Sequence, residues 1–223
     1  MMSGEKFFDR LRYVTLFATW IGIWGAWIPA KAIALRQNAI DLAEWATFLP
    51  EVRSGALHFV PDILRLSIAL ISIAAAWKAM SIQNGWIRWS IVLVSVIPGF
   101  LLLPPYPYVL QLWNSDSYGL RFVIGNLTVI GVGLSLVVGK FSEQVMRVIR
   151  MILTLIAVGL AVYAASALWG PFSLRFGMQI RLGWGFASFL VGTLLSLILE
   201  GIASFPSLFP QGQSLKTKTG QTS

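Results

Sequence analysis

Groups able to move a proton are concentrated in one polar connection, where Asp41, Glu44, Glu51, His58 and Asp62 follow one another between two apolar stretches. Carboxylates and an imidazole held together can act as general acid and base, or ligate a divalent cation. Their spacing matches no metal or catalytic signature, and acids in a connecting loop are ordinarily solvated. Asp41, Glu44, Trp45, His58 and Asp62 are therefore candidates for an outer-loop site or a partner contact, with solvation the plainer expectation.

Arginine supplies the second constellation. Leu64-Arg65-Leu66, Leu120-Arg121-Phe122 and Leu174-Arg175-Phe176 share an apolar-Arg-apolar pattern, and Arg181 follows the last of them. Guanidinium donates paired hydrogen bonds that phosphate and carboxylate accept, so Arg65, Arg121, Arg175 and Arg181 are candidate anion or lipid-headgroup contacts. Separate contacts with headgroups are the simpler expectation, and a shared anion clamp the sharper one.

His58 is the only histidine and there is no cysteine. Disulfides, iron–sulfur clusters, thiolate zinc sites and cysteine nucleophiles are thereby excluded within the chain, as is a haem with two axial imidazoles. No phosphate-binding glycine loop, dinucleotide turn, His-Glu-x-x-His or nucleophile elbow occurs. Glu143 and Arg147, four apart, and Glu200 beside Gly201 read as structural, with Glu200 expected to be solvated at a helix end. No cofactor, no metal site and no catalytic residue are expected.

The elements that must position these groups are apolar. Tyr13–Ala30, Trp89–Ser115, Phe122–Gly139, Met151–Leu174 and Leu182–Leu199 each run without a charged side chain. About 20 mostly apolar residues carry a helix across a bilayer, and the chain is 57% hydrophobic and 12% charged. A further stretch, Ile63–Met80, carries Arg65 and Lys78 near its ends, from which long basic side chains can snorkel to the interface. The expectation is an all-α transmembrane bundle of six spans, near 13–32, 63–80, 86–103, 122–139, 151–169 and 182–203. One domain covers 1–204, and residues 205–223 read as a flexible cytoplasmic tail.

Lysine and arginine favour both termini inside, since ten of the 17 fall on the side of the amino terminus. Trp27, Trp45, Trp113, Trp169 and Trp184 are expected at the outer interface, and Trp77, Trp86 and Trp89 at the inner one. The first span also resembles a signal peptide, with Lys6, Arg10 and Arg12 before an apolar core and Ala30-Lys31-Ala32 after it. Lys31, Arg36 and the bulky Trp20, Trp24 and Trp27 favour its retention as a helix. The net charge of +8 suits anionic lipid rather than nucleic acid, because the basic residues flank apolar segments.

Small residues recur every fourth position: Ala18, Gly22, Ala26 and Ala30; Gly131, Ser135 and Gly139; Ala157, Ala161 and Ala165; Ser188, Gly192 and Ser196. In lipid, helices associate where small side chains let backbones approach, so these are expected packing faces. Trp20, Trp24 and Trp27 are expected on the opposite, lipid-facing side of the first span. Asn126, strongly polar within a span, is expected to bond across to a neighbouring helix. Pro98 and Gly99 are expected to kink the third span. Asn38 caps an expected short interfacial helix in which Leu42, Trp45, Ala46 and Leu49 share a face while Asp41 and Glu44 meet water.

These features predict a multi-pass plasma-membrane protein without a catalytic site of its own, acting as an accessory or assembly subunit. Its partners would be the bilayer and other membrane subunits. The alternatives are a small permease or lipid- or anion-handling transporter, and a lipid-modifying enzyme at the outer interface using Asp41, Glu44 or His58.

Overall fold

The computed structural model describes residues 4–29, 36–110, 118–177 and 179–204. These are helical apart from turns and one two-residue antiparallel ladder. In chain order come α1 (Gly4–Trp24), the ladder strands β1 (Ile28–Pro29) and β2 (Arg36–Gln37), α2 (Ala39–Ala46), α3 (Pro50–Arg53), α4 (Val60–Ala79) and α5 (Gly85–Leu102). After a single turn at Tyr108–Leu110 follow α6 (Gly119–Gly133), α7 (Ser135–Val138), α8 (Glu143–Phe176) and α9 (Trp184–Ser204). Among the described residues, five segments are long and apolar enough to cross a membrane: Val60–Ala79, Gly85–Leu102, Gly119–Val138, Glu143–Phe176 and Trp184–Ser204. The tail expected after Ser204 and the belt residue Trp113 lie outside the described residues.

The centre of the bundle is α4, which packs against α8, α5 and α6 and is covered at its first turns by α2. A second layer is formed by α1 and α9, with α9 also touching α8. Leu64, Ile68 and Ala69 of α4 meet Ala157, Ala161, Ala164 and Leu168 of α8 in one buried cluster that continues to Ile23, Trp27, Phe186 and Phe189. Ser67 donates to the carbonyl of Ala157 at 2.8 Å across the α4–α8 contact. The outer surface is apolar as well, with Leu93, Val123, Ile130, Leu155, Val191 and Ile198 all exposed. Hydrocarbon, which makes no hydrogen bonds, solvates such a surface, and the intrahelical bonds satisfy the backbone beneath it.

Glycine sets the closest approach. A Cβ on Gly22 would stand 2.4 Å from the backbone nitrogen of Phe189, and one on Gly192 2.5 Å from that of Thr19. No side chain fits there, and Ser188 donates to the carbonyl of Ala18 at 3.0 Å across the same contact. On α6, Gly131 leaves room for Ile73 and accepts a 2.8 Å hydrogen bond from the Trp77 indole. The small-residue faces of α1, α6, α8 and α9 are thus turned inward.

Several boundaries and directions differ from the sequence expectation. The first helix ends at Trp24 rather than near residue 32, because the backbone leaves helical form at Gly25 to bond elsewhere. Trp27 N–H donates to Gln37 at 2.7 Å, while the carbonyls of Trp27 and Ala26 accept from Gly183 and Gly185 at 2.8 and 2.9 Å. Trp27 itself is not at the interface. It is 2% exposed, donates to the carbonyl of Gly22, and packs against Phe186 and Phe189. The fourth span is broken at Leu134 into α6 and α7.

The fifth span expected at 151–169 is instead a 34-residue helix. Its start moves back to Glu143 because Glu143, Arg147 and Arg150, at i, i+4 and i+7, pair on one face. At the other end it passes Pro171, whose missing N–H removes one bond only, and closes at Gly177, where φ of 61° suits glycine.

Candidate functional site

Two charged assemblies occupy opposite ends of the bundle. The first gathers where α4 and α6 begin, beneath α2. Asn38 accepts from the N–H groups of Ile40 and Asp41 at 2.9 Å each, capping α2. Leu42, Ala43, Ala46 and Leu49 are buried under it, whereas Trp45 is 51% exposed. Glu44 does not point away into water, as sequence reading expects. Its carboxylate bridges Arg121 at 2.6 Å and Arg65 at 3.3 Å. Arg65 also donates to Asp62 at 2.7 Å and to the carbonyl of Ala43 at 3.2 Å, and Arg121 donates to the carbonyl of Leu102 at 3.1 Å. Arg65 is 3% exposed and therefore does not snorkel. Its charge is met inside the bundle, where an isolated guanidinium would be costly.

This assembly brings together Arg65, Arg121, Glu44 and Asp62. Two guanidiniums face two carboxylates, so the group is balanced in charge and most of its short contacts fix α2 to α4 and α6. Arg175 and Arg181 are exposed and stand outside it. So do Asp41 and His58, both exposed, the latter edge-on to Phe59 with ring centroids 5.0 Å apart. Asn126 donates to the carbonyl of Phe122 at 2.9 Å, one turn back in its own helix, rather than across to a neighbour. That local bond satisfies one of its donors where no partner helix offers an acceptor.

The second assembly lies at the other end, where α1 and α8 begin and α4 and α9 end. Glu200 is 8% exposed, not solvated. One of its oxygens is 3.4 Å from Lys78 Nζ; the other is 3.5 Å from Arg147 Nε and 3.2 Å from Arg150 Nη2. The same Arg150 nitrogen donates to Glu143 at 2.8 Å, and Ser81 donates to the second Glu143 oxygen at 3.0 Å. Lys78, 8% exposed, donates to Ser196 Oγ at 2.8 Å, so it too turns inward rather than snorkelling. Arg147 donates to the carbonyl of Ala203 at the end of α9. Four elements that are distant in sequence are thereby tied at one level.

A cleft of about 440 Å³ opens at this assembly, lined by Arg12, Lys78, Glu143, Arg147, Arg150 and Glu200 together with Tyr13, Leu16, Ser81 and Ile82. Four cations face two carboxylates across it. The Nε of Arg150 is buried and has no hydrogen-bond acceptor, on a side chain that is 4% exposed. A buried donor without an acceptor is uncommon and unfavourable, more so when charged. Three of the four cations are guanidiniums, which hold their protons throughout the physiological range and so are suited to binding anions rather than shuttling protons. Among the described residues no three histidine, aspartate or glutamate side chains converge as ligands for a metal.

Sequence reading passed over this second assembly. Its one local signal was the i, i+4, i+7 spacing of Glu143, Arg147 and Arg150; the rest comes from the ends of other helices. The chain matches no protein-family model, no curated protein and no solved structure.

Proposed function

We propose that this is a multi-pass membrane protein, without catalysis of its own, that binds a phosphate or carboxylate group in the cleft between Lys78, Arg147 and Arg150. The observation that carries this reading is the excess of positive charge lining the cleft, together with the acceptor-less Nε of buried Arg150. An oxyanion would supply the missing acceptor and offset the surplus charge where both are poorly hydrated. Of the functions open from sequence, lipid or anion handling fits this geometry better than an accessory role, which gives no reason for such a cleft. The outer arginines are the less favoured seat, because Glu44 and Asp62 already neutralise Arg65 and Arg121.

In the proposed topology α1 is a sixth crossing. Its uncharged helical part, Tyr13–Trp24, is short for a bilayer, yet the non-helical Gly25–Ile28 continues it with Gly25, Trp27 and Ile28 buried. Irregular backbone at membrane depth is tolerated when covered by protein in this way. Six crossings put both termini on one face, proposed as the cytoplasmic face of the plasma membrane, with α2 in the opposite interface. At about 1.5 Å per residue α8 is roughly 51 Å long, against about 30 Å of hydrocarbon, so its charged first turns reach headgroup depth.

Thermal unfolding of the detergent-solubilised protein tests the anion reading, with inorganic phosphate compared against chloride at equal ionic strength. Phosphate should raise the melting temperature of the native protein and of Glu44→Gln, and leave Arg150→Gln unmoved. Equal melting in the two salts for the native protein would sink the reading.

A further inference from the structure

Behind the cleft lies a second void of about 390 Å³, and the two share Lys78, Arg150 and Glu200 as a common wall. The rest of its lining is displaced in one direction on all four helices. On α1, Leu16 and Thr19 follow Arg12; on α4, Ile71 and Ala75 precede Lys78; on α8, Thr154 follows Arg150; on α9, Thr193 precedes Glu200. At about 1.5 Å of rise per residue, Ile71 stands roughly 10 Å from Lys78 along α4. The void therefore extends from the charged layer toward the middle of the apolar helices.

Its polarity falls in the same direction. The hydroxyls of Thr19 and Thr193 donate to their own helices, to the carbonyls of Thr15 at 2.9 Å and Phe189 at 2.7 Å. Ser196 Oγ accepts from Lys78. With those hydroxyls engaged, little remains to hold water, and a void of that character stays dry or takes an apolar guest. A free oxyanion would use the cleft alone and leave the deeper space unexplained.

We infer that the cleft and the void together seat one anionic amphiphile, its phosphate or carboxylate at Arg147 and Arg150 and the first part of its hydrocarbon chain between α1, α4, α8 and α9. This rests on the anion reading above and adds a chain to it. Selectivity divides accordingly: the charged layer chooses the headgroup, and the void admits a single chain in the orientation that a lipid of the same leaflet already has. Because the chain leaves one hydrocarbon environment for another, the headgroup contacts supply most of the affinity.

The test uses the full chain in phosphatidylcholine nanodiscs with a lysophosphatidate carrying a photoreactive group on its chain, and a lysophosphatidylcholine probe of the same chain as control. Labelled residues are read by mass spectrometry. The lysophosphatidate should label Ile71, Ala75 and Thr154, and labelling there should fall about tenfold or more in Arg150→Gln, as expected for loss of a charged hydrogen-bond donor. Thr154→Leu, which narrows the void, should lose that labelling while keeping the stabilisation by inorganic phosphate; Ala75→Leu gives the same reading from α4. Labelling confined to outward residues such as Leu155, Val191 and Ile198, equal for the two probes, would overturn the amphiphile inference even where phosphate still stabilises the protein. Absence of both phosphate stabilisation and void labelling would remove the anion reading and the inference together.

Discussion

Glu200→Gln should destabilise the bundle by about 3–5 kcal/mol, the range for removing one partner of a buried ion pair, whereas Lys78→Met should cost about 1 kcal/mol or less. The asymmetry follows from who is left behind. Glu200 is 8% exposed and touches three cations, Lys78 at 3.4 Å, Arg147 at 3.5 Å and Arg150 at 3.2 Å. Without its charge those cations have only Glu143, whose side chain is 50% exposed and well screened. Removing Lys78 instead leaves Glu200 bridged by two arginines, and methionine fills nearly the same length without a charge to desolvate. Unfolding in dodecylmaltoside micelles titrated with sodium dodecyl sulfate measures both. The double variant should be less destabilised than the two single effects summed, by about 1 kcal/mol or more, since losing a cation relieves the group that lost its carboxylate. Phosphate should also stabilise Glu200→Gln more than it stabilises the native protein, because the cleft is then more positive. A Lys78→Met cost equal to that of Glu200→Gln, or strict additivity, would refute the reasoning that Glu200 is the hub.

Gly22→Val places methyl groups where the Phe189 backbone already stands; it should cost more than about 2 kcal/mol and lower the yield of folded protein, while Gly85→Ala, which meets nothing within 4 Å, should leave the melting temperature nearly unchanged. Glu44→Gln removes the bridge between Arg65 and Arg121; hydrogen exchange at Leu42–Ala46 should accelerate by about fivefold to tenfold, with α4 unaffected, because α2 keeps only the Arg65 bond to Ala43 and its apolar face. Since the native chain lacks cysteine, single-cysteine variants report topology without background. A membrane-impermeant maleimide applied to intact cells should label Asp41→Cys and spare Ser81→Cys, and the reverse pattern would invert the proposed orientation.

What could be read in advance were the features that a short window carries whole. Runs without charge located the helices from α4 onward to within a few residues at most ends, because a helix must enclose its own backbone hydrogen bonds in any apolar medium. Gly22, Gly131 and Gly192 marked contact faces because only the absence of a side chain permits that approach. The Asn38 cap is likewise local. What escaped was the direction in which a long side chain turns. Arg65 and Lys78 have stems suited to reach an interface, and only the neighbouring helices decide that Asp62 and Glu44, or Glu200 and Ser196, lie closer than water. The charged cleft was invisible for the same reason, since Arg12, Lys78, Arg150 and Glu200 belong to four separate helices. Trp27 misled because an indole near a helix end favours the interface in general, whereas here the break at Gly25 carries it back under Phe186.

The glycine-mediated pairing of α1 with α9 has a consequence for biogenesis. Ser188 bonds to Ala18 across a separation of 170 residues, so the groove around Gly22 stays without its mate until synthesis is nearly finished. Synthesis adds roughly 5–20 residues per second, which leaves the amino-terminal segment waiting for about ten seconds or longer while the central helices assemble. Any chaperone or insertase that shields that groove during the interval must release it to the final hairpin, and a ribosome stalled before residue 184 would leave behind a product recognisable by that uncovered face.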